Sequence, residues 1–200
     1  MNEIVDSIFN YLLLSGIDVR LIIVIIAFLP IAEARLAIPF ALKCGLNPFQ
    51  AFCYGFLGSS LPIPILLLTL IPLFNYLSKT KLFASLGNAL LSRIQNKANT
   101  VSGSMLKRMI GTAAFVSIPL PLTGVWTGSA IASILNIPYF KSLISIAIGN
   151  LVASTIIVII SSLFAEYINF IMVAFALIGI VAAIITLVKT LTSKKSAKEN

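Results

Sequence analysis

Two charged residues lie deep inside a long apolar stretch of the sequence, and they are the residues best suited to chemistry. Glu33 and Arg35 interrupt the stretch from Val19 to Leu42, and the next acidic residue along the chain is Glu166. An ionisable group at membrane depth is energetically unfavourable and is therefore usually functional. Because burial favours the protonated form of a carboxyl group, Glu33 is a candidate proton carrier. The alternative is a structural role, as an ion pair with Arg35 or near the lipid headgroups.

A second cluster of candidate residues lies where Pro119, Pro121 and Gly124 break another apolar stretch. Prolines remove backbone donors, so such a break exposes free carbonyl groups and helix ends whose partial charges can hold an ion or an anionic group. Hydroxyl groups and a large aromatic ring lie in or beside this break. The full set of candidate substrate- or ion-binding residues is Glu33, Arg35, Pro39, Pro119, Pro121, Thr123, Gly124, Trp126, Thr127 and Asn150.

Purely structural roles stay open for several of these residues. The prolines can merely kink their helices. Trp126 can anchor the chain at the membrane interface. Asn150 can link neighbouring helices through its amide group, which needs a hydrogen-bond partner inside a membrane.

The residue types also bound the chemistry of the chain. There is no histidine, which excludes imidazole metal ligands, Ser-His triads and histidine proton relays within this chain. Cys44 and Cys53 are better explained as packing thiols than as a disulfide or a metal site. Neither paired carboxylates nor a nucleophile beside a base can be recognised. We therefore expect no catalytic residue, no bound metal, no cofactor and no enzymatic activity.

The composition is that of an integral membrane protein. Of the 200 residues, 59% are hydrophobic and only 10% are charged, whereas a soluble domain has roughly a quarter of its residues charged. The formal net charge is +8, but the basic residues lie between and after long apolar runs. This pattern favours a role in membrane orientation over nucleic-acid binding, so the lipid bilayer is the expected partner and nucleic acid is not.

The chain divides into apolar segments separated by basic ones. Residues 3–14 carry apolar side chains at helical spacing, which predicts an amphipathic helix at the membrane surface. We expect one membrane domain, in which 1–78 hold this helix and a first repeat, 79–108 a basic cytoplasmic loop, 109–165 a second repeat, 166–190 the last transmembrane helix and 191–200 a cytoplasmic tail.

The basic residues constrain how the chain crosses the membrane. Both the 79–108 loop and the C-terminal tail are rich in lysine and arginine, as is typical of cytoplasmic segments. An even number of crossings must then separate them, although three apolar segments lie between. We interpret 109–137, with its proline-rich break, as a re-entrant hairpin, since irregular backbone is tolerated where protein buries it or where it lines a wet cavity.

The two halves of the sequence are similar to each other. Leu46-Asn47-Pro48-Phe49 corresponds to Asn136-Ile137-Pro138-Tyr139, and Gly58-Ser59 corresponds to Gly149-Asn150. A unit of one hairpin and one crossing traverses the membrane once, so two successive units have opposite orientations. The predicted fold class is therefore all-α integral membrane: an inverted repeat of re-entrant hairpin plus transmembrane helix, with one extra C-terminal transmembrane helix.

Three motifs extend across much of the chain. They are Glu33-Ala34-Arg35-Leu36-Ala37-Ile38-Pro39, Gly45-Leu46-Asn47-Pro48 and Ile118-Pro119-Leu120-Pro121-Leu122-Thr123-Gly124-Val125-Trp126-Thr127-Gly128. In combination they resemble the small multidrug export protein family. The resemblance implies a multi-pass protein of the inner membrane. Through a distant similarity to the DedA superfamily, it also implies two inward-pointing re-entrant hairpins and transport of ions or lipids, including polyprenyl-phosphate carriers. The second hairpin differs from the DedA pattern, because its tip has no arginine or acid.

We therefore expect a small secondary transporter that is proton-coupled through Glu33 and moves a small molecule, an ion or a lipid. One alternative is a translocase of an anionic lipid such as a polyprenyl phosphate, bound by Arg35 and the broken helix ends. Another is a non-transporting membrane partner protein, which would need no charge within the membrane. Three full crossings scarcely enclose a path, so a homodimer is expected.

Overall fold

The regular secondary structure of the described residues is entirely helical. The computed structural model describes residues 16–77, 105–120 and 123–164, with individual residues from 166 to 181, and no strand occurs in these parts. The helices are α1 (Val19–Phe28), α2 (Glu33–Lys43), α3 (Pro48–Ser60), α4 (Pro62–Leu77), α5 (Met105–Ser117), α6 (Val125–Ile134) and α7 (Tyr139–Leu163). The all-helical class predicted from the sequence is confirmed.

The first half begins with two short helices, α1 and α2, which we call the first helix pair. Asp18 caps α1 by accepting a 2.8 Å hydrogen bond from the Arg20 amide, and the helix ends just before Pro30, which disfavours helical backbone in the preceding residue. With 10 and 11 residues, each helix rises only about 15 Å, roughly half of the bilayer core. Neither helix is long enough to cross a membrane.

The second half begins in the same way with α5 and α6, the second helix pair. The break between them, residues 118–124, contains the proline-rich motif. Helix α5 starts at Met105, inside the stretch that we expected to be a basic loop up to residue 108. Its first turn carries Lys107 and Arg108, and the Arg108 guanidinium donates a 3.2 Å hydrogen bond to the carbonyl of Leu135 at the end of α6.

Each helix pair is followed by a helical stretch long enough to cross a membrane. Pro48–Leu70, which joins α3 to α4, has 23 residues, and Tyr139–Leu163 has 25. Both rise about 35 Å, compared with about 30 Å for the hydrocarbon core. Large apolar side chains are exposed along both stretches, including Leu57, Ile65, Leu68, Ile148 and Ile159. These helices support the predicted membrane location.

Matching turns connect the helix pairs to the long helices. Gly45 and Asn136 both adopt positive φ, 83° and 51°, the left-handed conformation that commonly ends helices. The next amide then reaches back to the helix, from Leu46 to the Ala41 carbonyl at 3.1 Å and from Ile137 to the Ala132 carbonyl at 3.0 Å. Both turns thus close the same hydrogen-bonded ring.

This structural register corrects the sequence match by one residue. Asn47 and Pro138 are both N-cap residues, of α3 and α7 respectively. Pro138 is therefore the counterpart of Asn47, whereas the sequence comparison paired it with Pro48. The correction arises because the helix-ending turn, and not the proline, fixes the equivalent positions.

Glycines let each long helix approach its own helix pair closely. A Cβ atom on Gly58 would lie 2.7 Å from the Val24 carbonyl of α1, and one on Gly149 would lie 2.6 Å from the Ala113 carbonyl of α5. Real side chains essentially never make such short contacts, so both crossings require glycine. Small residues at helix crossings are typical of membrane proteins.

Three predicted segments fall outside the described residues. They are the N-terminal amphipathic helix, most of the basic loop and the C-terminal tail. The last predicted transmembrane helix is described only at scattered residues, which are helical at 172–175 and 177–178.

Candidate functional site

The two helix-pair breaks meet in the folded chain. The Glu33 side chain lies against Gly124, and Phe28 packs edge-on against Trp126 with ring centroids 6.4 Å apart. Residues from both breaks therefore form one cluster, and we call Glu33, Arg35, Thr123, Gly124, Val125 and Trp126 the junction site. All of these residues except Val125 are among the candidate binding residues that the sequence predicts.

The Glu33 carboxylate is buried and held from two directions. Glu33 is only 4% exposed, and its Oε2 accepts a 2.7 Å hydrogen bond from Nη1 of Arg35. The backbone amides of Val125 and Trp126 also interact with this carboxylate. These amides belong to the first turn of α6, where backbone N–H groups lack helical partners and the helix dipole favours negative charge. The carboxylate thus caps α6 from another part of the chain.

The backbone at Glu33 is unusual. Its φ is 46°, a left-handed conformation that is uncommon for residues other than glycine, asparagine and aspartate. Such backbone conformations typically store about 1–3 kcal/mol and cluster at functional sites. The strained residue at the start of α2 is also the one that carries the buried carboxylate.

Gly124 makes room for the carboxylate. A Cβ atom at this position would overlap all three atoms of the Glu33 carboxyl group. The φ of Gly124 is −84°, which any residue can adopt, so the need for glycine comes from space and not from backbone conformation. The sequence predicts Gly124 as part of a helix break, and the structure adds this second role.

Arg35 connects the two helix pairs. It is 4% exposed, and its Nη2 donates a 3.1 Å hydrogen bond to Thr123 Oγ1. The Thr123 hydroxyl lies 2.7 Å from the Ile118 carbonyl and 2.6 Å from that of Leu120, so the turn in the second break fixes its position. A buried guanidinium therefore joins a carboxylate on its own helix to a hydroxyl in the other break.

Two buried donors of the junction site have no hydrogen-bond partner among the described residues. They are Nε of Arg35 and Nε1 of Trp126. Buried donors in native proteins are nearly always paired, and an unpaired one costs about 1–3 kcal/mol. Both orphan donors belong to residues that also hold the Glu33 carboxylate.

The remaining predicted residues of the helix pairs lie close in sequence to these groups. Pro39 is buried within α2, and because proline has no N–H, the carbonyl of Arg35 lacks its usual helical partner. Thr127 Oγ1 donates a 3.2 Å hydrogen bond to the Gly124 carbonyl. Pro119 is half-buried in the second break, and Pro121 lies outside the described residues.

Asn150 belongs to a different cluster. It is 4% exposed, and its Nδ2 donates 2.9 Å hydrogen bonds to the hydroxyls of Ser59 and Ser60. These contacts join α7 to α3, the interhelical role that the sequence left open. No hydrogen bond connects Asn150 to the junction site within the described part of the chain.

Sequence reasoning missed three contributors: the Val125 amide, the Phe28 ring and the serine partners of Asn150. A signal for the contacts between halves was present in the internal repeat. Ser59 and Asn150 are 91 residues apart and bond to each other, and the same spacing relates Glu33 to Gly124. The sequence match of Gly58-Ser59 with Gly149-Asn150 has this same offset of 91 residues, so the offset itself could have identified both contacts.

The described residues contain no cluster suited to a metal ion, since no three His, Cys, Asp or Glu side chains come together there. Cys44 and Cys53 are free thiols that are partly buried. Burial raises the pKa of the Cys44 thiol to about 11, against an opposing effect of Lys43. Cys44 is therefore protonated and poorly nucleophilic at neutral pH.

Comparison with known proteins identifies a family. The model of the family described as "Putative small multi-drug export protein" matches residues 33–156. This range begins at Glu33 and contains every residue of the junction site. No curated protein matches the chain, and no solved structure matches it. The predicted similarity to the DedA superfamily therefore stays a prediction.

Proposed function

The chain belongs to the small multi-drug export protein family, and we propose that it is a small secondary transporter with its substrate site at the junction site. Glu33 is the proposed proton carrier of this transporter. The observation that carries the proposal is a buried carboxylate held jointly by Arg35 and by the first turn of α6. A purely structural ion pair would not require strained backbone at Glu33 or two orphan donors beside it.

We further propose that the two helix pairs are re-entrant hairpins that enter the membrane from opposite faces. Their short helices, the matching turns at Gly45 and Asn136, and the glycine crossings at Gly58 and Gly149 support this architecture. Each half would then be one hairpin followed by one crossing, and the two halves would form an inverted repeat. Secondary transporters with inverted repeats bind substrate near the bilayer midplane, at the interface between repeats.

This architecture supplies a mechanism for access from alternating sides. The junction site lies between the breaks of the two helix pairs, so movement of one half against the other would open it to one face at a time. Arg35 crosses the interface to Thr123 and would have to release or carry that contact during the movement. Protonation of Glu33 would weaken the ion pair and so couple the proton to the change.

The topology and assembly are also part of the proposal. The basic loop and the C-terminal tail face the cytoplasm of a cell whose inner membrane holds the protein, because lysine and arginine concentrate in both segments. A homodimer would complete the enclosure that a chain of this size scarcely provides.

The test is proton-coupled transport by the full chain in liposomes. With an imposed pH gradient and a pH-sensitive dye in the lumen, the wild type should move protons when substrate is supplied from a panel of organic ions. The Glu33→Gln variant should lose this proton movement, because a neutral amide cannot release a proton. Glu166→Gln changes an exposed carboxylate outside the junction site and should behave as wild type. Unchanged pH-dependent transport in Glu33→Gln would refute the proposed coupling.

A further inference from the structure

The Glu33 carboxylate occupies a site that is built for an anion. Helix α6 has 10 residues, and the free amides of its first turn face the carboxylate together with the Arg35 guanidinium. A helix N-terminus combined with a guanidinium is a recurrent arrangement for binding carboxylate and phosphate groups. In this structure the chain supplies its own anion to that position.

The orphan donors indicate that the site can bind more than this one carboxylate. Arg35 has five N–H donors, and its Nε has no partner in the part of the chain that the structure describes. The same holds for the indole Nε1 of Trp126. An anion with three or four oxygen atoms offers more acceptors than one carboxylate, so it could also pair the free Nε of Arg35, whose guanidinium already binds the Glu33 carboxylate.

Charge balance decides which ligand can enter. Arg35 stays protonated at any physiological pH, whereas a glutamate can become neutral. A cation that took the place of Arg35 on Glu33 would leave a buried guanidinium without an anion. An anion that takes the place of protonated Glu33 leaves only a neutral acid behind and keeps Arg35 paired. Displacement of the Glu33 carboxylate by an anion is therefore less costly than displacement of the Arg35 guanidinium by a cation.

The surroundings of Glu33 contribute no competing charge. Among the described residues, Arg35 is the charged side chain that acts on it. The packed helices carry other charged or titratable groups, namely Arg20 on α1, Cys53 and Tyr54 on α3, Lys107 and Arg108 on α5, and Tyr139 and Lys141 on α7. None of these is among the interactions of the Glu33 carboxyl group.

We propose that the transported substrate carries an anionic group of the phosphate, sulfate or carboxylate type, which takes the place of the Glu33 carboxylate between Arg35 and the first turn of α6. This inference rests on the proposed transport function and specifies its substrate class. Glu33 must be protonated to leave the site, so one proton enters with each anion. The protein would therefore transport a proton and an anion in the same direction, as a proton–anion symporter.

Trp126 provides a direct measurement, because it is the single tryptophan of the sequence and lies in the junction site. Its fluorescence is titrated in the purified full chain with sulfate and, separately, with tetramethylammonium, both of which keep their charge from pH 5 to 8. Sulfate should give a saturable change, with an affinity that rises on the order of tenfold per pH unit as the pH falls through the titration of Glu33, since bound anion and bound proton are linked. Tetramethylammonium should give none.

Two variants with matched controls test the exchange itself. Glu33→Gln should bind sulfate at least tenfold more tightly at pH 8 than the wild type, and with an affinity that no longer depends on pH. Arg35→Gln should bind at least tenfold more weakly at pH 5. Glu166→Gln and Arg20→Gln alter exposed side chains outside the site and should match the wild type. Melting temperature with and without sulfate gives a second readout, because a bound ligand stabilises the folded state.

A comparison of two short-chain phospholipids identifies the source of the anion. Dihexanoyl phosphatidic acid and dihexanoyl phosphatidylcholine are compared in the same assay at equal micelle concentration. If phosphatidic acid binds and sulfate does not, the anion belongs to a lipid headgroup. If sulfate binds, the anion belongs to a soluble molecule. Either result supports the proposal, provided that it responds to Glu33→Gln as described.

Saturable binding of tetramethylammonium that Glu33→Gln abolishes would overturn the proposal, as would the failure of both anionic probes to bind at any pH. These outcomes are distinct from a failure of the proposed transport function. A protein whose proton movement in liposomes still depends on Glu33 would remain a transporter, but one with a cationic or neutral substrate.

Discussion

Glu33 combines a buried carboxylate, a left-handed backbone and a contact with the other half of the chain. Each feature alone has a structural explanation, but together they place a group that can change its charge at the point where two breaks meet. Its partners are a permanent cation and the partial positive charge of a helix end. A single protonation therefore alters the interaction between the two halves.

Replacing Gly124 tests this contact with the smallest possible change. The added methyl group of Gly124→Ala would occupy the position of the Glu33 carboxyl group, so the carboxylate must leave the start of α6. We expect loss of proton-coupled transport and a decrease in stability of about 1–3 kcal/mol, measured by transport in liposomes and by thermal unfolding.

Gly111→Ala is the matched control for this substitution. Gly111 lies in α5, and a Cβ atom there would meet no atom within 4 Å from the described residues beyond its own stretch of helix. Equal activity and stability of the two alanine variants would contradict the assigned role of Gly124.

Arg35 provides a test that depends on pH. In Arg35→Gln the Glu33 carboxylate loses its buried counter-ion, and breaking a buried pair in this way costs about 3–5 kcal/mol. Protonation of Glu33 removes the unpaired charge, so the loss of stability should be largest at pH 8 and smaller at pH 5. The double variant Glu33→Gln/Arg35→Gln should be more stable at pH 8 than Arg35→Gln. A deficit independent of pH would indicate that Arg35 acts through packing alone.

Most residues of the junction site could be singled out from residue types, but the way they assemble could not be predicted. Glu33 and Arg35 stood out because charge is rare in apolar sequence, and Gly124 because it follows two prolines. Gly124 must lack a side chain because the Glu33 carboxyl group occupies that space. This is a contact between distant parts of the chain. Periodicity and propensity describe only neighbours along the chain, so this contact was beyond them.

At the scale of the helices, Asn150 holds α7 against α3 through Ser59 and Ser60. The contact lies beside Gly58 and Gly149, where each long helix approaches its own helix pair. The long helices of the two halves are thus joined by polar groups at the positions where small residues allow close packing.

A double-mutant cycle measures the strength of that link. Ser59→Ala and Asn150→Ala should each destabilise the protein by about 0.6–2 kcal/mol, and their effects should not add, because either change removes the same hydrogen bond. Thermal unfolding in detergent is the measurement. Ser162→Ala removes an exposed hydroxyl from the same helix and should have no effect. Fully additive losses would show that Ser59 and Asn150 act independently.

Helix boundaries can be predicted from the sequence where proline or glycine fixes the backbone. Elsewhere the predicted boundaries are less accurate. The break at Pro119 separates α5 from α6 as expected, and Pro30 lies between α1 and α2. The start of α5 at Met105 was not predicted, because lysine and arginine in its first turn favoured a loop. Those residues are compatible with helix, and the Arg108 contact with the end of α6 depends on tertiary structure.

At the scale of the whole molecule, the proposed transport site depends on how the helix pairs enter the membrane. Helices of 10 to 13 residues cannot cross singly, so each pair either returns to the face from which it came or spans as one broken helix. Only the first alternative orients the two halves oppositely and makes the junction site reachable from both sides in turn.

Cysteine accessibility distinguishes these alternatives most directly. Single cysteines replace Arg20, Phe49, Lys107 or Phe140 in a background where Cys44 and Cys53 are changed to serine, and an impermeant maleimide is applied to each membrane face. Arg20 and Lys107 lie at the N-terminal ends of the two helix pairs. Phe49 and Phe140 lie just beyond their C-terminal ends and are among the most exposed side chains. Positions 20 and 49 should react only from outside, and positions 107 and 140 only from the cytoplasm. Labelling of 20 and 49, or of 107 and 140, from opposite faces would contradict the re-entrant architecture and with it the transport site.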